Sequence, residues 1–508
     1  MKKNHSNLRG GLSALAIGAM GVLALASCAS DGFDNSEKWE TVSNAQLSSP
    51  EASKFTFKSV AASDGTDKVQ VTWPVVMGAG GYECKAYNVD DAANPVLLAT
   101  DTIDGTTFQF PLAEDTNYRV EIRTLGNAAQ NNAAADSAAV ATYSTLIAAT
   151  TIPNGSDIYT FINDAIASIP EGDTESAFEL EAGGQYTCSG VIDFQGRKMT
   201  LRGNKLNHPT VTMGENAAIE TSSQLKVKFL NFDCSEMKTK WGVIQMSDNP
   251  PANKSAVSQN IGAAKNNGTP ADVYILQDPI IIQDCAFKNV PNCLFAVGNC
   301  SWGLYDVRVL NSVVQLNCSG SSNANGAVIC AYSSGFVSPS GAQFWYGGIK
   351  SITVKESTFL NLVDNSKNRF IRFNNKDLDR AFPSAAGSVT MTDNTFIRTF
   401  NKKEFGNNTP NAKTYAVTFD NNIFYDIYRL QKLFQSNCTA TFNQKQNTIW
   451  GVASSVDNTD KTKWATEEDP QFEGDTQTAL DFTQPNYGLN LTAKGTISST
   501  IGDPRWKK

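Results

Sequence analysis

An eight-residue pattern of apolar and polar positions recurs along the second half of the chain. Apolar residues occupy its first, third and eighth positions, and mostly small polar or acidic residues occupy its fifth and sixth. The clearest copies are residues 280–287, 352–359, 389–396 and 417–424. Alternating apolar positions predict a strand with one buried face, and Asn or Asp at the next positions predicts a turn with left-handed backbone.

Four weaker copies keep the apolar rule, the last of them only if two residues are inserted. Their apolar residues are Met199, Leu201 and Leu206; Leu225, Val227 and Phe232; Val307, Val309 and Val314; and Ala440, Phe442 and Ile449. A unit of about 22 to 28 residues cannot bury its own apolar face, so successive copies must stack. The pattern therefore predicts a parallel β-helix. One internal stack is predicted to contain Phe232, Phe287, Phe359, Phe396 and Phe424.

Residues 53–147 follow a different pattern, with short alternating strands at close intervals. Seven strands in about 95 residues predict a β-sandwich. The segment resembles fibronectin type III modules, because Trp73 falls in an early strand and residues 112–118 match the family's tyrosine-corner segment, ending in Tyr118. The resemblance implies a spacer module, and weak glycan binding by it stays open.

An amphipathic helix is predicted between these two regions, over residues 157–169, with Ser156 or Asp157 as its cap. With the Gly-x-Tyr turn at residues 184–186, it resembles the N-terminal cap of pectate-lyase-like right-handed β-helices. The predicted fold is all-β. It combines a fibronectin type III-like sandwich over residues 53–147 with a right-handed parallel β-helix and its short capping helix over residues 150–508. The chain after Trp450 is expected to form an extended, mostly polar closing segment.

The N-terminus has the pattern of an export signal. Lys2, Lys3 and Arg9 precede an apolar run that ends in Leu-Ala-Ser-Cys at residues 25–28. This predicts a lipoprotein signal peptide over residues 1–27, lipidation of Cys28 and an acidic tether over residues 28–52. Cleavage as an ordinary secretory signal stays open. The tether resembles those of Bacteroidota surface lipoproteins, which implies a lipid anchor on the outer face of the outer membrane.

Charge and residue counts exclude several classes of function. The net charge is −8, and removing the signal with its three positive charges gives −11. This balance argues against a nucleic-acid partner, and an acidic polysaccharide can bind only through a local basic patch or a bridging cation. After cleavage one histidine remains, His208, which excludes a two-histidine metal site. The cysteines show no paired C-x-x-C spacing, and they are either small buried fillers or members of one or two disulfides.

The most basic part of the predicted β-helix is the run of residues 367–380, at +3. Ile371 and Phe373 are predicted to point inward, which directs Arg372 outward. An outward arginine can bind a carboxylate with its forked guanidinium. The alternative is a solvated loop whose charges pair locally.

The resemblance to pectate-lyase-like enzymes implies β-elimination on uronic-acid chains. That step needs a cation beside the carboxylate and a base for the neighbouring proton. The candidate catalytic residues are Arg372, Arg369 and Lys367. The cofactor that fits such a step is calcium, and its candidate ligands are Asp364, Asp377 and Asp379.

Aromatic residues next to glycines form a second candidate site. Trp345 and Tyr346 lie in residues 343–348, and Trp302 and Tyr305 are expected one coil earlier. Aromatic faces suit stacking on sugar rings, and Arg372 would add a charged contact. The alternative is that these aromatics pack the insertion onto the wall of the β-helix.

Three functions remain open on this fold, because fold alone does not select among them. The first is a cell-surface lipoprotein that binds an acidic, pectin-like polysaccharide. The second is a calcium-assisted polysaccharide lyase, and the third is a structural or adhesive surface protein. The chain resembles β-helix lipoproteins of polysaccharide-utilisation systems, which implies a polysaccharide partner and a monomer that can belong to a glycan-uptake assembly.

Overall fold

The computed structural model divides the chain into two compact units, residues 1–146 and 147–508. It describes residues 42–61, 65–238, 241–261, 265–266, 269–270, 273–319, 327–331, 348–364, 366–373, 382–383, 387–403, 405–407, 416–427, 441–451 and 465–507. Cys28 and the signal peptide lie outside this set, so lipidation stays a prediction. Within the described part, no helix has the length and apolar character needed to cross a membrane.

The first unit is the expected sandwich of two antiparallel sheets, with strand orders β1-β2-β5 and β4-β3-β6-β7. Its strands are β1 Thr56–Ala61, β2 Asp67–Thr72, β3 Tyr82–Asn88, β4 Val96–Ile103, β5 Thr107–Pro111, β6 Asn117–Thr124 and β7 Ala139–Ser144. All seven predicted strands are confirmed. In β7, however, Val140 is 50% exposed, and Ala139, Ala141 and Tyr143 face the core instead.

The core of the sandwich is built around aromatic residues. Trp73 packs edge-on against Tyr82, with ring centroids 5.4 Å apart. The Tyr118 hydroxyl accepts a hydrogen bond from Ala113 N at 2.6 Å and donates to Ala113 O at 3.2 Å. This is the tyrosine corner expected from residues 112–118. The end of the predicted tether also joins this unit, because Leu47 is buried and its N–H donates to Ala133 O at 3.1 Å.

The capping helix is confirmed as α1, Ile158–Ile166. Asp157 is its N-cap and accepts a hydrogen bond from Thr160 N at 3.3 Å. The same carboxylate accepts from Ser189 N at 2.9 Å, which ties the helix to the first coil. Ile158, Ile162 and Ile166 are buried against the interior, so the helix covers the open end of the stacked sheets.

The second unit is a right-handed parallel β-helix of three long sheets, here named A, B and C in the order in which each coil passes through them. Sheet A contains β8 Ala149–Ile152, β9 Gly172–Leu180, β12 Arg197–Arg202, β15 Leu225–Lys228, β20 Val273–Gln283, β23 Ser301–Leu310, β26 Gly348–Lys355, β29 Ser388–Thr392, β32 Ala416–Asp420 and β34 Thr441–Lys445. Sheet B contains β10 Gln185–Cys188, β13 Thr210–Met213, β16 Asn231–Asp233, β21 Ala286–Val290, β24 Val313–Leu316, β27 Thr358–Asn361, β30 Thr395–Ile397, β33 Ile423–Tyr425, β35 Asn447–Trp450 and β36 Ala465–Glu467. Sheet C contains β11 Val191–Asp193, β14 Ala218–Thr221, β17 Gly242–Met246, β22 Cys293–Ala296, β25 Ala327–Ala331, β28 Arg369–Phe373 and β31 Gly406–Asn407.

The remaining elements are short. The strands β18 Lys265–Asn266 and β19 Thr269–Pro270 pair with each other. Single 3₁₀ turns occur at Ala52–Lys54, Ala128–Gln130, Ala252–Lys254, Pro485–Gly488 and Pro504–Trp506.

The predicted phenylalanine stack is confirmed on the inner face of sheet B. All five rings are buried, and parallel pairing aligns them in one column, with Val314 between Phe287 and Phe359. The rings of Phe232 and Phe287 are 4.9 Å apart and nearly parallel. The spacing equals the distance between strands, about 4.8 Å, so each ring fills one coil.

The turn between sheets A and B explains the polar pair of the repeat. The fifth position of the pattern has positive φ in Asp284, Glu356, Asp393 and Asn421. The sixth position points inward and forms a buried ladder. Its members are Cys285, Ser312, Ser357, Asn394, Asn422 and Asn447. In the first five members the backbone N–H donates to the side-chain oxygen of the member one coil later, for example Asn394 N to Asn422 Oδ1 at 3.1 Å.

Two of the weaker repeat assignments were wrong. Leu206 is 60% exposed, and Val211 takes the inward place beside Phe232 because the turn before it is longer than in other coils. The last copy begins at Phe442, which pairs with Val417, and not at Ala440. With that start, Ile449 falls in the eighth position without any insertion.

The closing segment, residues 465–507, lies along the outer face of sheet B. Its apolar residues Leu480, Leu489, Leu491 and Trp506 pack with Ala286, Val313, Leu360 and Ile397 of that face. Trp506 Nε1 donates to Thr358 Oγ1 at 2.7 Å. The segment is extended, as predicted, and it covers an apolar face that the repeat alone leaves open.

Seven of the eight described cysteines are buried, and none of the eight forms a disulfide. The buried ones are Cys84, Cys188, Cys234, Cys285, Cys293, Cys318 and Cys330, and Cys300 is half-buried. The interpretation as small buried fillers is confirmed for the seven buried cysteines.

Candidate functional site

The outer face of sheet C carries the residues singled out by the basic run. In four successive coils the strand has an outer, two inner and then an outer residue. These segments are residues 242–245, 293–296, 327–330 and 369–372. The two inner residues belong to the main interior cluster. Each of these coils therefore has two outer positions on this face, and one of these positions is Gly242.

Arg369 and Arg372 are the two outer residues of the fourth such coil. Arg369 pairs in register with Ala327, and Arg372 pairs with Cys330. Both arginines are half-buried, and their Nε atoms are buried. Lys367 is exposed just before them, and its N–H donates to Ser319 O at 2.7 Å. The structure thus brings all three predicted cationic residues to one region.

The inward neighbours of Arg372 differ from the expectation. Phe370 and Ile371 are both buried in the interior, whereas simple alternation placed Ile371 and Phe373 there; the Phe373 side chain lies outside the described residues. Phe405 O accepts from both Phe370 N and Ile371 N, which marks the local break in alternation. The Phe370 ring meets the Phe359 ring edge-on at 4.9 Å and so packs against the phenylalanine stack.

In the middle of the same face the outer residues are small and buried. They form a cluster with one indole. The cluster contains Trp241, Cys293, Ala296, Ala327 and Cys330. The hydrogen bond with Cys330 and burial raise the pKa of the Cys293 thiol well above its ordinary value. Cys293 is therefore a protonated thiol at neutral pH.

The first coils give this face an acidic end. Asp193, Glu220 and Gln245 are aligned in register on β11, β14 and β17. Gln245 Nε2 donates to Glu220 Oε1, and Ser247 Oγ donates to Asp193 Oδ2 at 2.8 Å. Between Glu220 and Arg372 there are four strand spacings, about 19 Å. The acidic and basic ends are therefore separate places on one wall.

Glu220 is the described carboxyl group on this face with a strongly shifted pKa. It is 8% exposed, and burial raises its pKa to about 7. The Asp193 and Asp248 carboxylates raise the pKa further, whereas the hydrogen bond from Gln245 acts in the opposite direction. A carboxyl group with such a pKa can hold or release a proton near neutrality.

The sequence reasoning missed Glu220, although a signal was present. Asp193, Glu220 and Gln245 each follow an isoleucine at spacings of 27 and 25 residues, close to the length of one coil. The eight-residue pattern covers only sheets A and B. The eight-residue pattern therefore could not identify a column of outer residues on sheet C.

The predicted calcium ligands are not assembled in the described part of the chain. Asp364 is exposed and faces the closing segment: its Oδ1 lies 3.8 Å from Arg398 Nε and 3.5 Å from Gln477 Nε2. Asp377 and Asp379 lie outside the described residues. Among the residues that are described, no group of three His, Cys, Asp or Glu side chains has metal-binding geometry. The calcium site stays a prediction.

One of the predicted sugar-stacking aromatics is wrong. Trp302 is completely buried, and its Nε1 donates to Ser247 O at 3.2 Å, so the indole has no face for a sugar. It occupies an inward position of β23 and packs at 5.4 Å from Tyr274. Trp345 and Tyr346 lie outside the described residues. Tyr305 remains, and it is 37% exposed.

Three solved structures of polysaccharide lyases are similar to this chain at low identity. An alginate lyase of family PL6, AlyGC, is 14% identical, with 60% of this chain and 41% of that chain covered and a TM-score of 0.34. The chain thus spans less than half of the length of that lyase. Pectate lyase PelI from Erwinia chrysanthemi, in complex with tetragalacturonic acid, is 8% identical (82% and 89% covered, TM-score 0.15). Pectate lyase Pel3 from Pectobacterium carotovorum is 10% identical (63% and 85% covered, TM-score 0.13).

No curated protein matches the sequence. Two family models do, and each is described as a domain of unknown function. DUF4992 matches residues 1–183, and DUF4957 matches residues 184–337. The first match spans the sandwich and the capping helix, so its end does not coincide with the boundary between the two compact units. The first two thirds of the chain therefore match two domain families whose function is unknown.

Proposed function

We propose that the protein binds an acidic polysaccharide through Arg369 and Arg372 on the outer face of sheet C. The observation that supports this proposal is the placement of two guanidinium groups on one face of one strand, directly after the exposed Lys367. Guanidinium groups match carboxylates with paired hydrogen bonds, and such charged bonds are stronger than neutral ones.

Local contact has to provide the affinity in this proposal. The chain has a net charge of −8, so its overall field repels a polyanion. The arginines are half-buried, which weakens the screening of their charge by water and salt. We therefore expect binding that depends on these side chains and not on general electrostatic attraction.

Binding is favoured over β-elimination by the distances on this face. Elimination needs a base beside the bound uronate. Glu220 has a suitable pKa, but it lies about 19 Å from Arg372, too far to act on the same sugar. A lyase activity would instead need Lys367 or Arg369 as its base, or a residue outside the described part of the chain.

The location follows from the N-terminal motif. Leu-Ala-Ser-Cys at residues 25–28 supports lipidation of Cys28 and an outer-membrane surface protein. Expression of Cys28→Ser is expected to move the protein from the membrane fraction to the soluble fraction. Retention of this variant in the membrane would contradict the anchor.

Affinity electrophoresis in gels that contain uronic-acid polysaccharides tests the binding. The wild type is expected to be retarded, and Arg372→Gln and Arg369→Gln are each expected to lose about tenfold in affinity. Lys238→Gln is the matched control, because Lys238 is an exposed cation that belongs to no strand of sheet C. Its Nζ lies 3.2 Å from Glu215 Oε1. Equal retardation of all four proteins would refute the site.

The same polysaccharides separate a binder from a lyase. β-Elimination leaves an unsaturated uronate that absorbs ultraviolet light, so incubation with the wild type can be followed in a spectrophotometer. We expect no increase in absorbance. An increase that Arg372→Gln abolishes would instead establish a lyase.

A further inference from the structure

The outer face of sheet A exposes an aromatic ring and a guanidinium group on one strand. Tyr305 and Arg308 lie on β23, where Tyr305 is 37% exposed and the Arg308 side chain is 46% exposed. Three residues of extended chain span at most about 10 Å, so both groups can contact one or two neighbouring sugar rings.

The residue between them holds the guanidinium in place. Asp306 is 4% exposed, and its Oδ2 accepts a hydrogen bond from Arg308 Nε at 2.6 Å. This bond uses Nε and leaves the two terminal nitrogens of Arg308 as further donors. The other oxygen, Oδ1, is buried and accepts no hydrogen bond from the described residues. Asp306 is thus committed to orienting Arg308.

The aromatic ring is also supported from behind. Phe382 is 4% exposed, and its ring lies 5.6 Å from the ring of Tyr305 at an angle of 51°. In the next coil, Leu304 pairs with Ile349 and Asp306 pairs with Ser351, so the neighbour of Tyr305 is Lys350, which is buried. On the outer face of sheet A, the exposed Tyr305 ring therefore lies next to a coil whose aligned residue, Lys350, is buried.

We propose that Tyr305 and Arg308 form a second glycan subsite, which binds a pyranose ring carrying a carboxylate or a sulfate. The sugar stacks on the exposed face of Tyr305, and its anionic group accepts hydrogen bonds from the terminal nitrogens of Arg308. The subsite rests on the proposed function, because its ligand belongs to the same class of acidic glycans. It lies on a different sheet from Arg369 and Arg372, so the two places can be tested separately.

The test measures affinities of the full-length protein for three oligosaccharides of equal length by titration calorimetry: a uronic-acid, a sulfated and a neutral one. Tyr305→Ala is expected to weaken binding of every probe that the wild type binds by about three- to tenfold, and Tyr305→Phe is expected to restore it. Arg308→Gln is expected to weaken the anionic probes by about tenfold and to leave the neutral one unchanged. Whichever of the two anionic probes loses more identifies the anionic group.

Trp450→Ala serves as the matched control, because Trp450 is also 37% exposed but lies on sheet B. Melting curves of all variants are recorded, so that loss of folding is not mistaken for loss of binding. Unchanged affinities in Tyr305→Ala and Arg308→Gln, with a loss in Arg372→Gln, would overturn the subsite and leave the proposed function standing. Losses in the first two variants alone would support the subsite and refute the arginine pair. No binding of any probe by the wild type would overturn both.

Discussion

Phe396 stacks on Phe424 in the interior of the β-helix, with ring centroids 5.0 Å apart and ring planes 5° apart. Phe359 lies on the other side of Phe396 at 5.5 Å. All three rings are completely buried. Phe396 is therefore enclosed by aromatic rings both above and below.

Replacing Phe396 with alanine is expected to cost about 3 to 5 kcal/mol in unfolding free energy. The change empties one layer of the stack, and the neighbouring rings cannot move together because each is fixed to its own coil. Chemical denaturation checks this. A loss below about 1 kcal/mol would show that the interior can close around the gap.

The buried ladder is expected to be as sensitive as the stack. In Asn422→Ala, Asn394 N loses its acceptor and Met391 O loses its donor at 2.8 Å. Each unsatisfied buried group costs about 1 to 3 kcal/mol, so the variant is expected to lose about 2 to 6 kcal/mol. The control is Asn421→Gly, since φ at Asn421 is +57° and glycine tolerates this conformation. Equal effects of the two changes on the denaturation midpoint would contradict the role of the ladder.

Glu220 is expected to make the protein less stable at alkaline pH. Its pKa in the folded state, about 7, lies above the ordinary value of 4.5, so the folded state keeps a proton that the unfolded state has lost between these values. Stability therefore decreases as the pH rises from about 4.5 to above 7, by up to about 3 kcal/mol.

The matched variant for this effect is Glu220→Gln, which keeps the shape of the neutral carboxyl group. Denaturation at pH 5 and pH 8 is compared in the two proteins. The wild type is expected to lose more stability than the variant between the two values. The same loss in both would mean that another group causes the pH dependence.

The closing segment is expected to detach without unfolding the β-helix. Trp506→Ala removes a 6% exposed indole and its hydrogen bond to Thr358. Limited proteolysis is expected to cut residues 465–507 faster in this variant, because these residues cover sheet B but add only β36 to it. Lys507→Ala, which removes a cation 3.9 Å from Asp393, is the control and is expected to be cut at the wild-type rate.

The sequence predicts the β-helix well because the repeated apolar positions are those that stacked coils bury. The apolar positions at Ile352, Val354 and Phe359 recur with the same spacing in other copies, and stacking is the only way to bury them. Leu206 was misplaced because turn lengths vary between coils while the inward columns do not. Ala440 was misplaced because the third position of the true copy is a polar residue, Gln444. Turn length has no strong signal in a single chain.

The candidate site was predicted less completely. The basic run identified Arg369 and Arg372, but strict alternation failed at Phe370, because sheet C bends to place two residues inward. Trp302 was misplaced because it precedes the repeat copy that begins at Val307, where the pattern gives no sign of whether the indole faces in or out. Glu220 acquires its pKa only from neighbours in other coils, such as Asp193 and Asp248, which no local window contains.

Each interior member of the buried ladder (Ser312, Ser357, Asn394 and Asn422) accepts a hydrogen bond from the coil before it and donates one to the coil after it. A coil that carries this arrangement can therefore be copied or deleted in the gene with its connections preserved on both sides. Each such event would lengthen or shorten the wall by about 4.8 Å. The length of the β-helix can in this way change by one coil while the ladder stays continuous.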